Sequence, residues 1–257
     1  MRVTHANETS RPGPTGPARL RRWFGWNRDV PTVAIQLDDD TASVLCLRRQ
    51  AVITACGRVS LPPGTVRNGR LRVGGPATGA LADLRRALQL PARCRAVALV
   101  QPHGAEVNGT TVVARVDGEE TSARRQVIMA AGFATVQLEP VPAALARLGA
   151  DRPGPVYLDG GGWRAYRDGD HLEVEPSDRS VAGVVIGPSP VERTNLDDAA
   201  PVAADPGVEL LDGWPLLLGA ALVHGGHRPG SLIESTDPAP VGAWTIERVA
   251  GHEGDLR

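Results

Sequence analysis

The sequence predicts an α/β fold built from two similar lobes in tandem, the second of them trimmed. Its first lobe opens with three short apolar runs joined by tight turns, the pattern of an antiparallel meander. Helical and strand patterns then alternate up to about residue 150, as they do around a parallel sheet. From Pro155 the opening pattern begins again, with an apolar strand, a glycine-rich turn and a hairpin.

Each element of the first lobe follows from its hydrophobic period. Apolar runs predict strands, and apolar residues on one face of a 3.6-residue period predict helices. Strands are expected at 32–37, 42–47, 51–61, 95–100, 110–116 and 134–138, and helices at 80–90, 119–131 and 142–148. This order is that of the ribonuclease H-like fold, which underlies the actin, Hsp70 and sugar-kinase superfamily.

The second lobe repeats the opening and then stops short. Strands are expected at 155–159, 163–167, 171–175 and 181–186. The link before the last of these is too short for a crossover helix. One further helix is predicted at 214–224, and the tail from Arg228 is expected to form edge strands or to be loose.

The chain therefore divides into three expected regions. Residues 1–30 have no apolar period and are expected to be disordered. They carry a basic and aromatic cluster, Arg19–Trp26, which suits either an anionic membrane surface or the edge of the domain. Residues 31–150 form the first lobe and residues 151–250 the reduced second lobe. Because no apolar run approaches the roughly 20 residues of a membrane span, we expect a cytoplasmic protein without a transmembrane segment.

Composition excludes several functions. The formal net charge is −1, so no general affinity for nucleic acid follows. The chain contains no lysine, since all 28 basic residues are arginine, which excludes a P-loop lysine and a Schiff-base lysine.

Three segments resemble the type IV pilus assembly protein PilM and its relatives. The first runs from the opening strand through the Leu-Pro-Pro-Gly loop at 61–64 to Val97–Gly104. The second is the helix ending in Ala-Ala-Gly at 130–132, with the following Val136–Ala146. The third is the strand and turn at 156–161. The resemblance implies an actin-like fold of the FtsA, PilM and type II secretion L superfamily.

The resemblance also says where a nucleotide would bind. Relatives that bind ATP carry a D-x-G-x-x-x-x-K pattern at the first turn, and the matching positions here are Gln36, Asp38 and Ser43. An aspartate at the glycine position directs negative charge at the phosphates. The second turn keeps Asp159 and Gly161, and the adenosine-contacting part is reduced to the neighbourhood of Gly187. These last three residues are the expected cofactor site only if ATP and Mg²⁺ bind at all.

The functional expectation is a non-catalytic cytoplasmic scaffold of a type IV pilus or related secretion assembly, peripheral at the inner membrane. No catalytic residue, metal ligand or cofactor is expected. The partner implied by the resemblance is a PilN-like single-pass inner-membrane protein, with a second copy of the chain as a further partner. The docking edge is predicted at Val107–Val116. Two alternatives remain, a divergent actin-like ATPase and a type II secretion L-like cytoplasmic domain.

The sequence disfavours two possible metal sites. Asp38–Asp40 with Asp159 could form a two-metal nuclease site, but such a site usually needs a carboxylate within the first strand, where Gln36 stands. His224 and His227 flank two glycines, and no third ligand is evident.

Overall fold

The computed structural model describes residues 30–48, 52–91, 94–134, 136–150, 152–178, 183–196, 204–210, 213–224 and 230–235. The first part of the chain forms β1 (Thr32–Leu37), β2 (Thr41–Arg48), β3 (Val52–Ser60), β4 (Val66–Arg67), β5 (Arg70–Leu71), α1 (Gly74–Ala87), β6 (Arg95–Val100), β7 (Gly104–Asn108), β8 (Thr111–Val116), α2 (Gly118–Ala130), β9 (Val136–Pro140) and α3 (Val141–Leu148). The rest forms β10 (Val156–Gly160), β11 (Trp163–Asp168), β12 (His171–Pro176), β13 (Val184–Gly187), β14 (Thr194–Asn195), α4 (Trp214–Ala221), a 3₁₀ turn at Leu222–His224 and β15 (Gly230–Ser235).

The first sheet has the strand order β3-β2-β1-β6-β9. β2 is antiparallel to both of its neighbours, whereas β6 and β9 run parallel to β1. A meander of three strands followed by two parallel strands, each reached through a helix, is the ribonuclease H-like arrangement. The structure therefore confirms the predicted fold class, a mixed α/β protein of the actin-like kind.

Apolar side chains on the two faces of this sheet enter two separate cores. Alternate residues of β1 point to opposite faces, as the period of a strand requires. Val33 and Ile35 pack under α1 and α2, together with Leu81 and Ile128. Ala34 faces the other way, into a core formed by α3, α4 and the second sheet. The helices α3 and α4 thus lie between the two sheets.

The α3–α4 contact is a close helix crossing that depends on one glycine. A Cβ added at Gly219 would lie 2.2 Å from the carbonyl oxygen of Ala144. Only glycine allows the two backbones to approach this closely. Because α4 also packs on β1 and β2, this crossing joins the second lobe to the first.

The second sheet has the strand order β12-β11-β10-β13-β14. It repeats the opening meander of the first sheet, as predicted, but β13 runs antiparallel to β10. A parallel fourth strand requires a crossover of a dozen or more residues. The segment between Pro176 and Val184 is shorter than that, so the strand returns in the opposite direction.

The C-terminal strand corrects one expectation. β15 pairs in parallel with β8 of the first lobe and not with a strand of the second sheet. β8 pairs with the missed strand β7 on its other side. The predicted strand-presenting edge at Val107–Val116 is therefore wrong for β8, whose two sides are both occupied.

Other boundaries shift by a few residues. α1 begins at Gly74 instead of residue 80, because Pro76 is tolerated in the first turn of a helix. Gly132 follows α2 with a φ of +95°, as its predicted role at the end of that helix requires.

The expectations for residues 1–29, including the Arg19–Trp26 cluster, lie outside the described residues. Among the residues that the structure does describe, no helix is long and apolar enough to cross a membrane.

Candidate functional site

The candidate site is the cleft where the ends of β1 and β10 meet. Open α/β sheets bind ligands outside the carboxyl ends of their strands. The turn Asp38–Asp40 follows β1, and the turn Gly161–Gly162 follows β10. Two cavities, of about 270 and 570 Å³, lie between these turns. Both cavities are lined by Asp38 and Gly161, so the structure brings these two predicted positions together.

Each of the three positions Gln36, Asp38 and Ser43 forms a side-chain hydrogen bond within the protein. The side-chain amide of Gln36 donates to both carboxylate oxygens of Asp38, over 2.8 and 3.0 Å. The Nε of Arg58 donates to the hydroxyl of Ser43 over 3.1 Å. Although Asp38 is open to solvent at the rim of the cleft, the surrounding protein raises the pKa of its carboxyl, and the Gln36 amide and the charge of Arg124 oppose that effect.

Asp39 has a structural role. Its carboxylate accepts hydrogen bonds from the backbone N–H groups of Asn68 and Gly69, both over 3.1 Å. These two residues have φ values of +52° and +71° and form the tight turn between β4 and β5. All three residues of the turn Asp38–Asp40 are exposed to solvent. The structure shows that one of its members anchors a neighbouring hairpin.

Behind the first turn lies a buried arginine that the sequence analysis missed. Arg124 on α2 forms an ion pair with Glu120 and donates to the carbonyl oxygens of Leu37, Leu99 and Gly69. Its side chain is 2% exposed. It therefore satisfies backbone acceptors at the ends of β1 and β6 and holds the β4–β5 turn against them. The Glu–x–x–x–Arg spacing within a predicted helix was the available signal.

The second turn is held closed by apolar contacts. Gly161 has a φ of +59°, and a Cβ there would lie 2.8 Å from Val141 and 2.9 Å from Leu216. Its carbonyl oxygen accepts a 3.0 Å hydrogen bond from the side chain of Gln101. The turn is thus fixed by a residue of each helix between the sheets and by a residue after β6.

Asp159 is fully buried and is bound by Arg164 on β11 and by Arg193 in the loop before β14. Its carboxylate oxygen Oδ2 accepts hydrogen bonds from Arg193 over 2.7 Å and from Arg164 over 3.3 Å. Burial by itself raises the pKa of Asp159, but hydrogen bonds from Ser177, Arg193 and Arg164 outweigh it and hold the pKa below its ordinary value. Arg164 also contacts Glu175. Nothing in the sequence pointed to Arg193, which follows a proline-rich turn.

Gly187 lies at the other end of its strand. Gly160, beside the cleft, pairs with Val184, whereas Gly187 pairs with Tyr157. A Cβ at Gly187 would overlap the carbonyl oxygen of Glu192, at 1.7 Å, so the chain itself fills this position. The structure therefore does not bring Gly187 to the cleft that Gly161 lines.

Within the described part of the chain, no group of three or more His, Cys, Asp or Glu side chains is placed to hold a metal ion. Asp159 and Asp38, the carboxylates of the disfavoured nuclease reading, have different partners. His227 lies outside the described residues, so the histidine pair is not described as a pair.

The sequence was compared with protein families, curated proteins and solved structures. No family model and no curated protein matches it. Among solved structures, the ethanolamine utilization protein EutJ from Carboxydothermus hydrogenoformans is 19% identical, with a TM-score of 0.42, over 57% of this chain and 52% of that one. A PilM–PilN type IV pilus biogenesis complex is 13% identical, with a TM-score of 0.43, over 61% of both chains. MreB5 of Spiroplasma citri bound to ADP is 15% identical, with a TM-score of 0.36, over 61% of this chain and 52% of that one.

The chain thus spans between about half and three-fifths of the length of these structures. These partial likenesses concern the fold, and the strand order of the first sheet identifies that fold independently.

Proposed function

We propose that the chain is a non-catalytic, PilM-like scaffold of a type IV pilus or related secretion assembly. In this role it works in the cytoplasm, peripherally at the inner membrane, and docks a PilN-like single-pass membrane protein. The proposal that the chain is non-catalytic rests on the contacts made by the residues of the second turn. Asp159 is neutralised by Arg193 and Arg164, and Gly161 is packed against Val141 and Leu216.

These contacts oppose nucleotide binding for physical reasons. A metal-bound phosphate needs a free carboxylate and backbone N–H groups that can approach it closely. Releasing Asp159 would leave two arginines without their buried counter-ion, which is costly. At the first turn, Asp38 directs negative charge at the same space. The cleft is better suited to fixing the two lobes together than to opening and closing around ATP.

The sequence resemblance supports the pilus part of the proposal. It includes the Leu-Pro-Pro-Gly loop, which follows β3, and the Val97–Gly104 segment, which runs from β6 to the start of β7. A scaffold needs a fixed surface, and the close α3–α4 crossing supplies rigidity between the lobes.

A divergent actin-like ATPase is the second candidate. The observation favouring it is the cavity of about 270 Å³ that remains between Asp38 and Gly161. Calorimetric titration with ATP and Mg²⁺ separates the two. The scaffold proposal expects no binding in the micromolar range and no nucleotide-dependent rise in melting temperature. A ligand at a hundred times its Kd would add about 2.7 kcal/mol to the free energy of unfolding.

The docking part is tested by capture. The full chain is co-expressed with single-pass membrane proteins encoded near it, and the complex is purified through a tag on the chain. Stoichiometric capture of one such protein supports the scaffold. The proposal fails if every candidate is lost on washing while the chain stays folded.

A further inference from the structure

The outer side of β8 is filled by the chain's own strand β15. The two strands are parallel and in register from Gly230 opposite Thr111 to Ser235 opposite Val116. The N–H of Gly230 donates to the carbonyl oxygen of Thr110 over 3.1 Å. Because backbone groups alternate along a strand, the N–H groups of Leu232 and Glu234 also face β8. This side of β8 is thus a site that holds an extended segment through its main chain.

Side chains of β15 show what the site accepts. The hydroxyl of Ser231 donates to Oε2 of the buried Glu139 over 2.7 Å. Ile233 packs against the core beneath α1 and α2. The Glu234 carboxylate lies 3.9 Å from the Arg115 guanidinium. A Cβ at Gly230 would meet the Thr111 hydroxyl at 3.2 Å, so the first position favours a residue without a side chain.

β15 is held mainly by main-chain hydrogen bonds and buries few apolar side chains. It lies at the edge of its sheet, where it pairs on one side only among the described residues. Its large apolar side chains contribute little, since Leu232 is 53% exposed and Ile233 is only partly buried. Elements with few buried apolar contacts open locally well below the free energy of global unfolding.

We propose that β15 is a displaceable occupant of a strand-binding site, and that the extended segment of a partner protein replaces it. The partner segment would lie parallel to β8 and carry the same pattern: glycine, a hydroxyl residue, any residue, an aliphatic residue and an acidic residue. This inference rests on the proposed function, since it names where the membrane partner docks and which segment of the chain competes with it.

The test uses the full chain and a labelled synthetic peptide with the sequence of residues 228–237. Leu232→Pro in the chain removes one main-chain hydrogen bond to β8 and opens the site. Leu232→Ala is the matched control, because it removes the same exposed side chain and keeps the N–H. We expect the peptide to bind the proline variant about tenfold more tightly than the alanine variant, as one such hydrogen bond implies.

A second pair of peptides tests the recognition pattern. Ser231→Ala in the peptide should weaken binding to the Leu232→Pro chain about tenfold, because it removes a hydrogen bond to a buried carboxylate. Leu232→Ala in the peptide should leave binding unchanged. Equal binding of the peptide to both chains, or no binding to either, overturns the proposal and makes β15 a fixed part of the fold.

Hydrogen exchange of the unmodified chain gives an answer even if the proline variant fails to fold. The amides of Leu232 and Glu234 should exchange at least about a hundredfold faster than those of the first sheet, as local opening requires. Equal protection overturns the proposal. A concentration-dependent dimer that the peptide dissociates would also overturn it, by showing that the strand of a second copy is the occupant.

The outcome is separable from that of the proposed function. If no membrane protein is captured by the chain but the peptide results hold, the scaffold role fails and the strand site stands. If a partner is captured equally well by the Leu232→Pro and Leu232→Ala chains, the scaffold role stands and displacement of β15 is wrong.

Discussion

The Arg193 guanidinium donates to the Asp159 carboxylate over 2.7 Å, from a position 34 residues further along the chain. This contact joins the loop before β14 to the end of β10. It also gives the aspartate of a potential phosphate turn a counter-ion from within the protein. Asp159 is fully buried, and a buried charge is costly unless it is paired. The ion pairs with Arg193 and Arg164 compensate the charge of its carboxylate.

Arg193→Ala should lower the free energy of unfolding by about 2 kcal/mol, because it removes the shorter of the two arginine contacts of a buried carboxylate. Urea denaturation followed by circular dichroism measures the change. Arg152→Ala is the control, since Arg152 is exposed, and it should have little effect. Equal stability of the two variants would contradict the assigned role of Arg193.

The ion pair between Asp159 and Arg193 should also make the free energy of unfolding depend on pH. The folded-state pKa of Asp159 lies below its ordinary value. The resulting stabilisation is therefore fully present above the unfolded-state pKa, about 3.9, and is lost as the pH falls through the lower folded-state pKa. The stability difference between the unmodified chain and Arg193→Ala should thus be constant above about pH 5 and shrink below pH 4. A difference that stays constant down to pH 2 would show that Arg193 acts by packing alone.

The parts of the fold and of the candidate site that the sequence predicts are those that depend on residues close together in the chain. The meander, the helices and the parallel strands of the first lobe follow from hydrophobic periods, and they fixed the fold class. The partners of Asp159 could not be predicted, because Arg193 reaches it through a tertiary contact with no local pattern. Gly187 was misplaced because the resemblance does not give the direction of its strand, and the antiparallel pairing of β13 with β10 puts its last residue away from the cleft. The pairing of β15 with β8 was not predicted, because pairing between strands that are distant in the chain produces no periodic pattern in the sequence.

Gly219→Ala should destabilise the chain by about 3 kcal/mol, because its Cβ would lie 2.2 Å from the Ala144 carbonyl oxygen and force α3 and α4 apart. Gly79→Ala is a matched control within α1, where a Cβ meets nothing within 4 Å. That change should be neutral or stabilise by up to about 1 kcal/mol, as replacing a helical glycine does. Thermal unfolding of both variants measures the contrast. If the two behave alike, the crossing is not the rigid joint between the lobes.

The buried pair Glu139–Arg147 links β9, α3 and β15, and its removal should show how these elements depend on one another. The side chains of the two residues are 0% and 1% exposed, and Ser231 of β15 donates to the same carboxylate. Arg147→Met should cost about 3–5 kcal/mol, because it leaves an uncompensated buried charge. Combining it with Glu139→Met should recover most of that loss, since replacing a whole buried pair by apolar residues is often nearly neutral. Denaturation of the two single variants and the double variant measures the coupling, and additive losses would contradict a direct interaction. The double variant also removes the acceptor of Ser231, so the exchange of the β15 amides should accelerate in it even where global stability is restored.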